Sequence, residues 1–158
     1  MSAAQLEIRV QAEPFQAGEE YESFLAGNTT EGAFASFVGR VRDFNTGSTV
    51  HTLELEHYPG MTEQVIQAIA QEAAQRWPIA AVRVIHRYGK LFPGDNIVLV
   101  LTSSAHRHAA QDACAYIMDH LKTRATFWKK EQTPDGSHWV QHRQSDDDAL
   151  SRWETDAS

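Results

Sequence analysis

The order in which strand-like and helix-like segments follow one another constrains this chain more than any single motif. LEIRV (6–10) alternates apolar and polar residues and reads as a strand. GEEYESFLAG (18–27) reads as a short helix that ends near Gly27. GAFASFVGRVR (32–42), rich in aromatic and β-branched residues, is a strand, and Gly39 within it marks a bulge or a close backbone approach. DFNTGSTV (43–50) has the residues of a loop. VHTLELEHY (50–58) is a strand with Leu53, Leu55 and His57 on one face and Glu54, Glu56 and Tyr58 on the other, and Pro59-Gly60 ends it. The spacing of Val65, Ile66, Ile69, Ala70, Ala73 and Trp77 predicts a helix over 61–77, with Thr62 as N-cap and Pro78 closing it. AAVRVIHRYG (80–89) is a strand, KLFPGDN a turn, and NIVLVLTS (96–103) the most apolar and central strand. A second helix spans 105–125, with Ala110, Ala113, Cys114, Ile117 and Leu121 on one stripe and Ser103 or Ser104 as its cap. FWKKEQTPDGSHWVQHR (127–143) is a hairpin around Pro134-Asp135-Gly136. Strands fall in adjacent pairs between two long helices. That argues against a parallel βαβ array and predicts an α+β domain.

At 158 residues the chain makes one domain, long enough to bury a core without staples. No apolar run has membrane length, and MSAAQLEIRV lacks the basic and apolar regions of a signal peptide. The single cysteine cannot form an internal disulfide, so the cytoplasm is the expected compartment. The formal charge is -7, unevenly spread. Residues 144–158 hold five acids against one arginine, which leaves the preceding body nearly neutral. The reading is therefore one domain over 1–143 and an acidic, partly disordered tail over 144–158. A broad nucleic-acid surface would show as net positive charge, and that is absent.

Eight histidines invite a metal, but their spacing does not. His106 and His108 point about 200° apart on a helix. His138 and His142 lie about 13 Å apart along a strand. Cys114 sits on the apolar stripe, where a packing role outweighs a reactive thiolate. Neither a metal nor another cofactor is expected.

Two other segments carry chemistry. SSAHRH (103–108) sets His106 and Arg107 at a helix start, where free N–H groups and the positive dipole end already favour an anion. Cations there oppose the dipole, and an anionic ligand would remove the conflict. DHLKTRATFWKKE (119–131), at the far end of the same helix, crowds Lys122, Arg124, Lys129 and Lys130 around Phe127 and Trp128. Lysines in a last turn complement the dipole, but the charge continues past the helix. An apolar wall beside Lys122 would suit a base or nucleophile. From His106 to Lys122 is about 24 Å along a helix. Either the two features serve separate sites, or two chains bring opposite helix ends together, as a two-fold dimer can.

GRVRDFN, LELEHYPGMTE, IHRYGKLFPGD, TSSAHRHAA, YIMDHLKTRATFWKKE and the closing hairpin together resemble the large, catalytic subunit of molybdopterin synthase, in order from about Phe15 to Trp153. The resemblance implies an α/β-hammerhead fold with additional antiparallel strands. It implies a sulfurtransferase that converts cyclic pyranopterin monophosphate (precursor Z) to molybdopterin. The two sulfurs would come from the C-terminal Gly-Gly thiocarboxylate of a small ubiquitin-like partner, within a heterotetramer built on a dimer of large subunits. The family's essential lysine falls on Lys122 and a second important lysine on Lys129. Its pocket arginine falls on Arg42, and its histidine–arginine pair, supplied by the neighbouring large subunit, on His106 and Arg107. Arg143 is a further carry-over, and Phe37 and Met118 would line the pocket. Thr126 stands where many members have proline, which removes no functional group. The rival class is a non-enzymatic anion- or RNA-binding module with Phe127 and Trp128 as stacking platforms.

Overall fold

A computed structural model describes residues 3–45, 48–49, 52–125, 127–134, 136–139 and 144–154. The elements run β1 (Gln5–Gln11), α1 (Ala17–Leu25), β2 (Ala33–Arg40), β3 (Phe44–Asn45), β4 (Ser48–Thr49), β5 (Thr52–His57) and α2 (Met61–Arg76). They continue β6 (Ile79–Arg87), β7 (Gly89–Leu91), β8 (Asn96–Ser104), α3 (Arg107–Arg124), β9 (Phe127–Thr133), β10 (Gly136–Trp139) and α4 (Gln144–Ser151). The class is α+β, as the order of segments predicts.

The first sheet has the order β1-β6-β8-β2. Only its β1–β6 pair is parallel; β6–β8 and β8–β2 are antiparallel. The strand read as most apolar, β8, is indeed internal. Alternation accounts for its composition. Val82, Val84, Val98 and Val100 face α2 and α3, against Ile66, Ile69, Ala113 and Ile117. Ile85, Leu99 and Leu101 face the opposite side, where Phe15, Tyr21 and Phe24 cover them. Packing on both faces keeps residues 97–101 apolar, while Thr102, Ser103 and Ser104 at the strand's end are buried polar residues; each fully buried Ile or Leu contributes about 1.5–3 kcal/mol.

The second sheet, β10-β9-β5-β7, is antiparallel throughout. Its inner face builds a smaller core from Val41, Leu53, Leu55 and Leu91, with Tyr88, Ile97 and Phe127 against it. Gly39 has both properties its position suggests. The β2 register shifts at Gly39/Arg40, and a Cβ on Gly39 would lie 2.8 Å from Val98 Cγ1.

Four local expectations are corrected. The loop at 43–50 holds the short antiparallel pair β3–β4, and KLFPGDN begins with strand β7, which pairs with β5. Helix α2 is capped by Gly60, at φ +85°, rather than Thr62; the Gly60 N–H donates to Glu63 Oε1 at 3.2 Å. The N-cap of α3 is His106, not a serine, although Ser104 Oγ accepts from the His106 N–H at 3.3 Å.

The described part of the acidic segment carries α4 and the buried Trp153. Trp153 Nε1 donates to Asp119 Oδ2 at 2.7 Å, and its ring packs edge-on against Trp77 and Tyr116. Asp146 and Asp147 occupy the first turn of α4, where the helix dipole favours them.

Candidate active site

Period-two alternation along β9 separates the residues of the cationic run. Phe127 pairs with His57, Lys129 with Leu55 and Glu131 with Leu53, so all three share the inner face of the sheet. Trp128 and Lys130 point the other way. Trp128 is exposed and meets Tyr58 edge-on, and the Lys130 ammonium lies over the Trp139 ring at 5.6 Å. Lys129 and Lys130 are thus neighbours in sequence with opposite surroundings.

Lys122 and Arg124 close α3. Arg124 turns to α2 and grips Glu72 with two bonds of 2.7 and 2.8 Å; Tyr116 donates to the same carboxylate at 3.0 Å. The guanidinium holds Glu72 below the usual carboxylate range. On the other flank Asp119, one turn before Lys122, accepts from Arg152 and Trp153. The last turn of α3 is therefore held from α2 and from the C-terminal segment, with Lys122 exposed between. The turn into β9 is tight, with the Phe127 N–H donating to the Ala125 carbonyl at 3.0 Å.

The charges of both lysines act on His86, at the end of β6. Its ring stacks on Phe127, centroids 3.8 Å apart and planes 16° apart. Burial depresses its pKa to about 4, and the charges of Lys129, Lys122 and His57 push the same way against the raising effect of its bond to the Arg87 carbonyl. Both ammonium groups therefore lie within electrostatic reach of one imidazole, although they come from different elements. His57 completes the layer, 6.0 Å from Phe127 and 4.3 Å from Tyr88 by ring centroids.

Arg42 stands on a separate lip. The N–H of the buried Val41 donates to the Asp95 carbonyl at 3.0 Å, and the Gly94 N–H donates to the Val41 carbonyl at 2.8 Å. Arg40 donates from Nη2 to the Gly94 carbonyl. Arg42 so becomes one wall of an open cleft of about 510 Å³, with Val41, Asp43, Pro93 and Gly94. Val41, next to Arg42, and Phe127, at the start of the strand that carries Lys129, pack in the same small core.

The remaining positions divide. His106 and Arg107 are exposed at the N-terminal end of α3, the full helix away from Lys122. Met118, one turn before Lys122, is buried in the main core, and Phe37 is exposed on the edge strand β2. Arg143 and Thr126 lie outside the described residues. Cys114 is buried with its thiol pushed up to about 12 by desolvation, the packing role its position suggests. His57 and His86 are the members of the site that sequence spacing alone did not single out. The available signal was His57 on the Leu53–Leu55 face of a strand, an imidazole where an aliphatic side chain would be ordinary.

The α+β scaffold sets Lys122 at one end of α3 and the His106–Arg107 pair at the other, and comparison with known proteins places a scaffold of this kind among enzyme subunits. The model of the MoaE protein family matches residues 10–124. The molybdopterin synthase catalytic subunit of Escherichia coli K12 is 52% identical over 150 residues, covering 95% of this chain and 99% of that one. Its counterpart from Pseudomonas aeruginosa is 54% identical over 147 residues, covering 93% and 98%. A solved MoaE protein from Burkholderia ambifaria superposes with a TM-score of 0.81 at 49% identity, covering 95% of this chain and 99% of that one. Molybdopterin synthase from Staphylococcus aureus gives 0.78 at 36%, covering 85% and 96%. The fold also matches, at 19% identity and a TM-score of 0.70, a chain in the complex of subunits 1 and 2 of molybdopterin-converting factor from Helicobacter pylori, covering 87% and 91%. The chain belongs to the MoaE family, and with it to the molybdopterin synthase catalytic subunits.

Proposed function

We propose that this chain inserts two sulfurs into cyclic pyranopterin monophosphate, taking each from the C-terminal thiocarboxylate of a small ubiquitin-like partner subunit. The observation that carries the reading is that Lys122, exposed at the end of α3, and Lys129, on the inner face of β9, both act electrostatically on the same buried ring of His86. The substrate brings a phosphate and the donor brings a second anion. A locally basic site in an acidic chain suits both. Lys122 sits by the thiocarboxylate carbonyl and stabilises the charge that develops on its oxygen, while Lys129 supports it. In each round the donor sulfur forms a C–S bond to a pterin side-chain carbon as a C–O bond at that carbon breaks, its oxygen staying with the phosphate or leaving as water; a second water then adds to the acyl carbon as the acyl C–S bond breaks. The spent tail leaves as a carboxylate and a second loaded tail follows.

Arg42 holds the phosphate and pterin together with His106 and Arg107 of a second copy of the chain, through charge-assisted and partly bidentate hydrogen bonds. The length of α3 argues for this composite arrangement, since one small ligand cannot reach both ends of it. The working assembly is then a dimer of this chain with a small subunit at each end. The stacking-platform alternative is disfavoured, because Phe127 is committed to His86 and only Trp128 remains exposed.

The test supplies precursor and thiocarboxylated partner to the Lys122→Ala dimer. Product formation should vanish while the dimer persists, and near-normal turnover would remove Lys122 from the role. Mixed dimers of Lys122→Ala and His106→Ala chains should regain part of the activity; none regained would place the site within one chain.

A further inference from the structure

The imidazole layer beneath the lysines has no part in the chemistry above, yet it is built with care. His86 is fixed on three sides. Its ring lies face to face with Phe127. Its Nδ1–H donates to the Arg87 carbonyl at 2.9 Å, which leaves Nε2 as the unprotonated nitrogen. Arg87 itself is buried and donates from Nε and Nη2 to the Ala12 carbonyl at 3.1 and 2.8 Å, so the end of β6 cannot shift freely. His57 backs the same phenyl ring from β5, and its Nδ1 is buried with no hydrogen-bond partner. Leaving a ring nitrogen unsatisfied costs about 1–3 kcal/mol. An aliphatic side chain would avoid that cost, so a flat ring at His57 has to be explained by what it holds. Among the described residues no group of three or more His, Cys, Asp or Glu is arranged to hold a metal ion.

Phe127 is the hinge of the arrangement. It is the first residue of β9, two positions before Lys129 on the same face and three after Arg124, which ends the helix bearing Lys122. Whatever fixes the Phe127 ring therefore fixes the relative placement of the two lysines. A lysine has a long, flexible stem, and orienting two of them on one acyl group requires a rigid base beneath.

We propose that His86 is a positioning residue for sulfur transfer: through the face of its ring, stacked on Phe127, it is the floor that sets Lys122 and Lys129 against the same reacting group. It touches neither substrate nor donor. Its ring must also stay neutral. A charge there would face Lys129 from β9, Lys122 from α3 and His57 from β5, and would disturb the pair it supports.

The inference rests on the sulfur-transfer reading, and the test separates the two. Two variants are compared with the native dimer. His86→Phe keeps a neutral flat ring and loses the donor; His86→Asn keeps an N–H donor and loses the ring. Single-turnover product formation is measured with precursor and thiocarboxylated partner. In parallel, reductively 13C-methylated lysines are followed by NMR, with Lys122 and Lys129 assigned through Lys→Arg variants. His86→Phe should keep the rate within about threefold and leave both lysine resonances in place. His86→Asn should lower the rate at least tenfold at saturating precursor, leave the precursor KM within about twofold, and displace both resonances. The proposal is overturned if His86→Asn changes neither rate nor resonances, if His86→Phe falls as far as His86→Asn, or if only KM moves. Should the native dimer make no product, the functional reading fails, and the lysine resonances still decide whether His86 holds the pair.

Discussion

Acidification should destabilise this protein through His86 by an amount that follows from its surroundings. The folded imidazole is pushed down from 6.5 to about 4, first by burial and then by Lys129, Lys122 and His57. In the unfolded chain the same ring titrates near its ordinary value. Between 6.5 and about 4 the unfolded chain therefore holds a proton that the folded chain refuses. Stability contributed by the neutral ring is fully present above that window and falls as pH falls through it. At pH 7.5 the effect is negligible. At pH 5.0 linkage gives a loss of about 2 kcal/mol, a large share of a typical domain's stability. Other groups titrate in the same range, so the quantity to measure is a double difference. Native protein and His86→Phe are each unfolded in urea at pH 7.5 and pH 5.0, at one protein concentration. The native chain should lose about 2 kcal/mol more than the variant. A double difference below about 0.5 kcal/mol would refute the account, because it would mean that the folded ring accepts a proton as readily as the unfolded one.

Three further outcomes are expected. Trp153→Ala should cost about 3 kcal/mol, since it empties a buried ring site and leaves Asp119 without its indole donor; calorimetry should show a melting point lower by about 6–12 °C, and a shift under about 2 °C would return the segment to a solvated tail. Lys130→Ala should keep turnover within about twofold while Lys129→Ala loses at least tenfold, because β9 turns them to opposite faces; equal losses would dissolve the distinction. Cys114 should resist iodoacetamide at pH 8 in the folded protein and react on unfolding, as its thiol is pushed up to about 12 by burial; rapid alkylation of the native chain would show the thiol to be accessible.

The parts of the fold that were legible in the sequence are those governed by short-range periodicity. The β5 face of Leu53, Leu55 and His57, the α3 stripe through Ala113 and Ile117 and the β9–β10 hairpin all follow from spacing, and all are present. What failed were places where tertiary contacts decide. Gly60 caps α2 because its positive φ lets the chain turn sharply, which no side-chain rule for Thr62 anticipates. Three aspartates dominate the composition of the segment from 144, yet its described part is anchored by one tryptophan that finds Asp119, Trp77 and Tyr116, residues far apart in sequence. The site shows the same division. Lys122 and the helix-end geometry were readable, whereas His86 was not, because its partners Phe127, Lys129 and Lys122 come from elements that only the fold brings together.

The two ends of α3 differ in how far helix physics alone explains them. At the C-terminal end, Lys122 and Arg124 sit where the dipole favours cations, and Arg124 has Glu72 as its partner. Its charges would be unremarkable without any ligand. At the N-terminal end the first turn contains no acid, no side chain caps it, and Arg107 occupies a position that the dipole disfavours by about 0.3–1 kcal/mol. Among the described residues neither His106 nor Arg107 forms an ion pair. Folding gains nothing from that arrangement, which is what the proposed anion site at this end of α3 would require. The end that looked ordinary in the sequence thus holds the lysines assigned to the chemistry, and the energetically awkward end is the stronger sign that an anion is bound. The composite site proposed above, with His106 and Arg107 of one chain holding a phosphate-bearing substrate for Lys122 and Lys129 of another, fits both ends with one ligand.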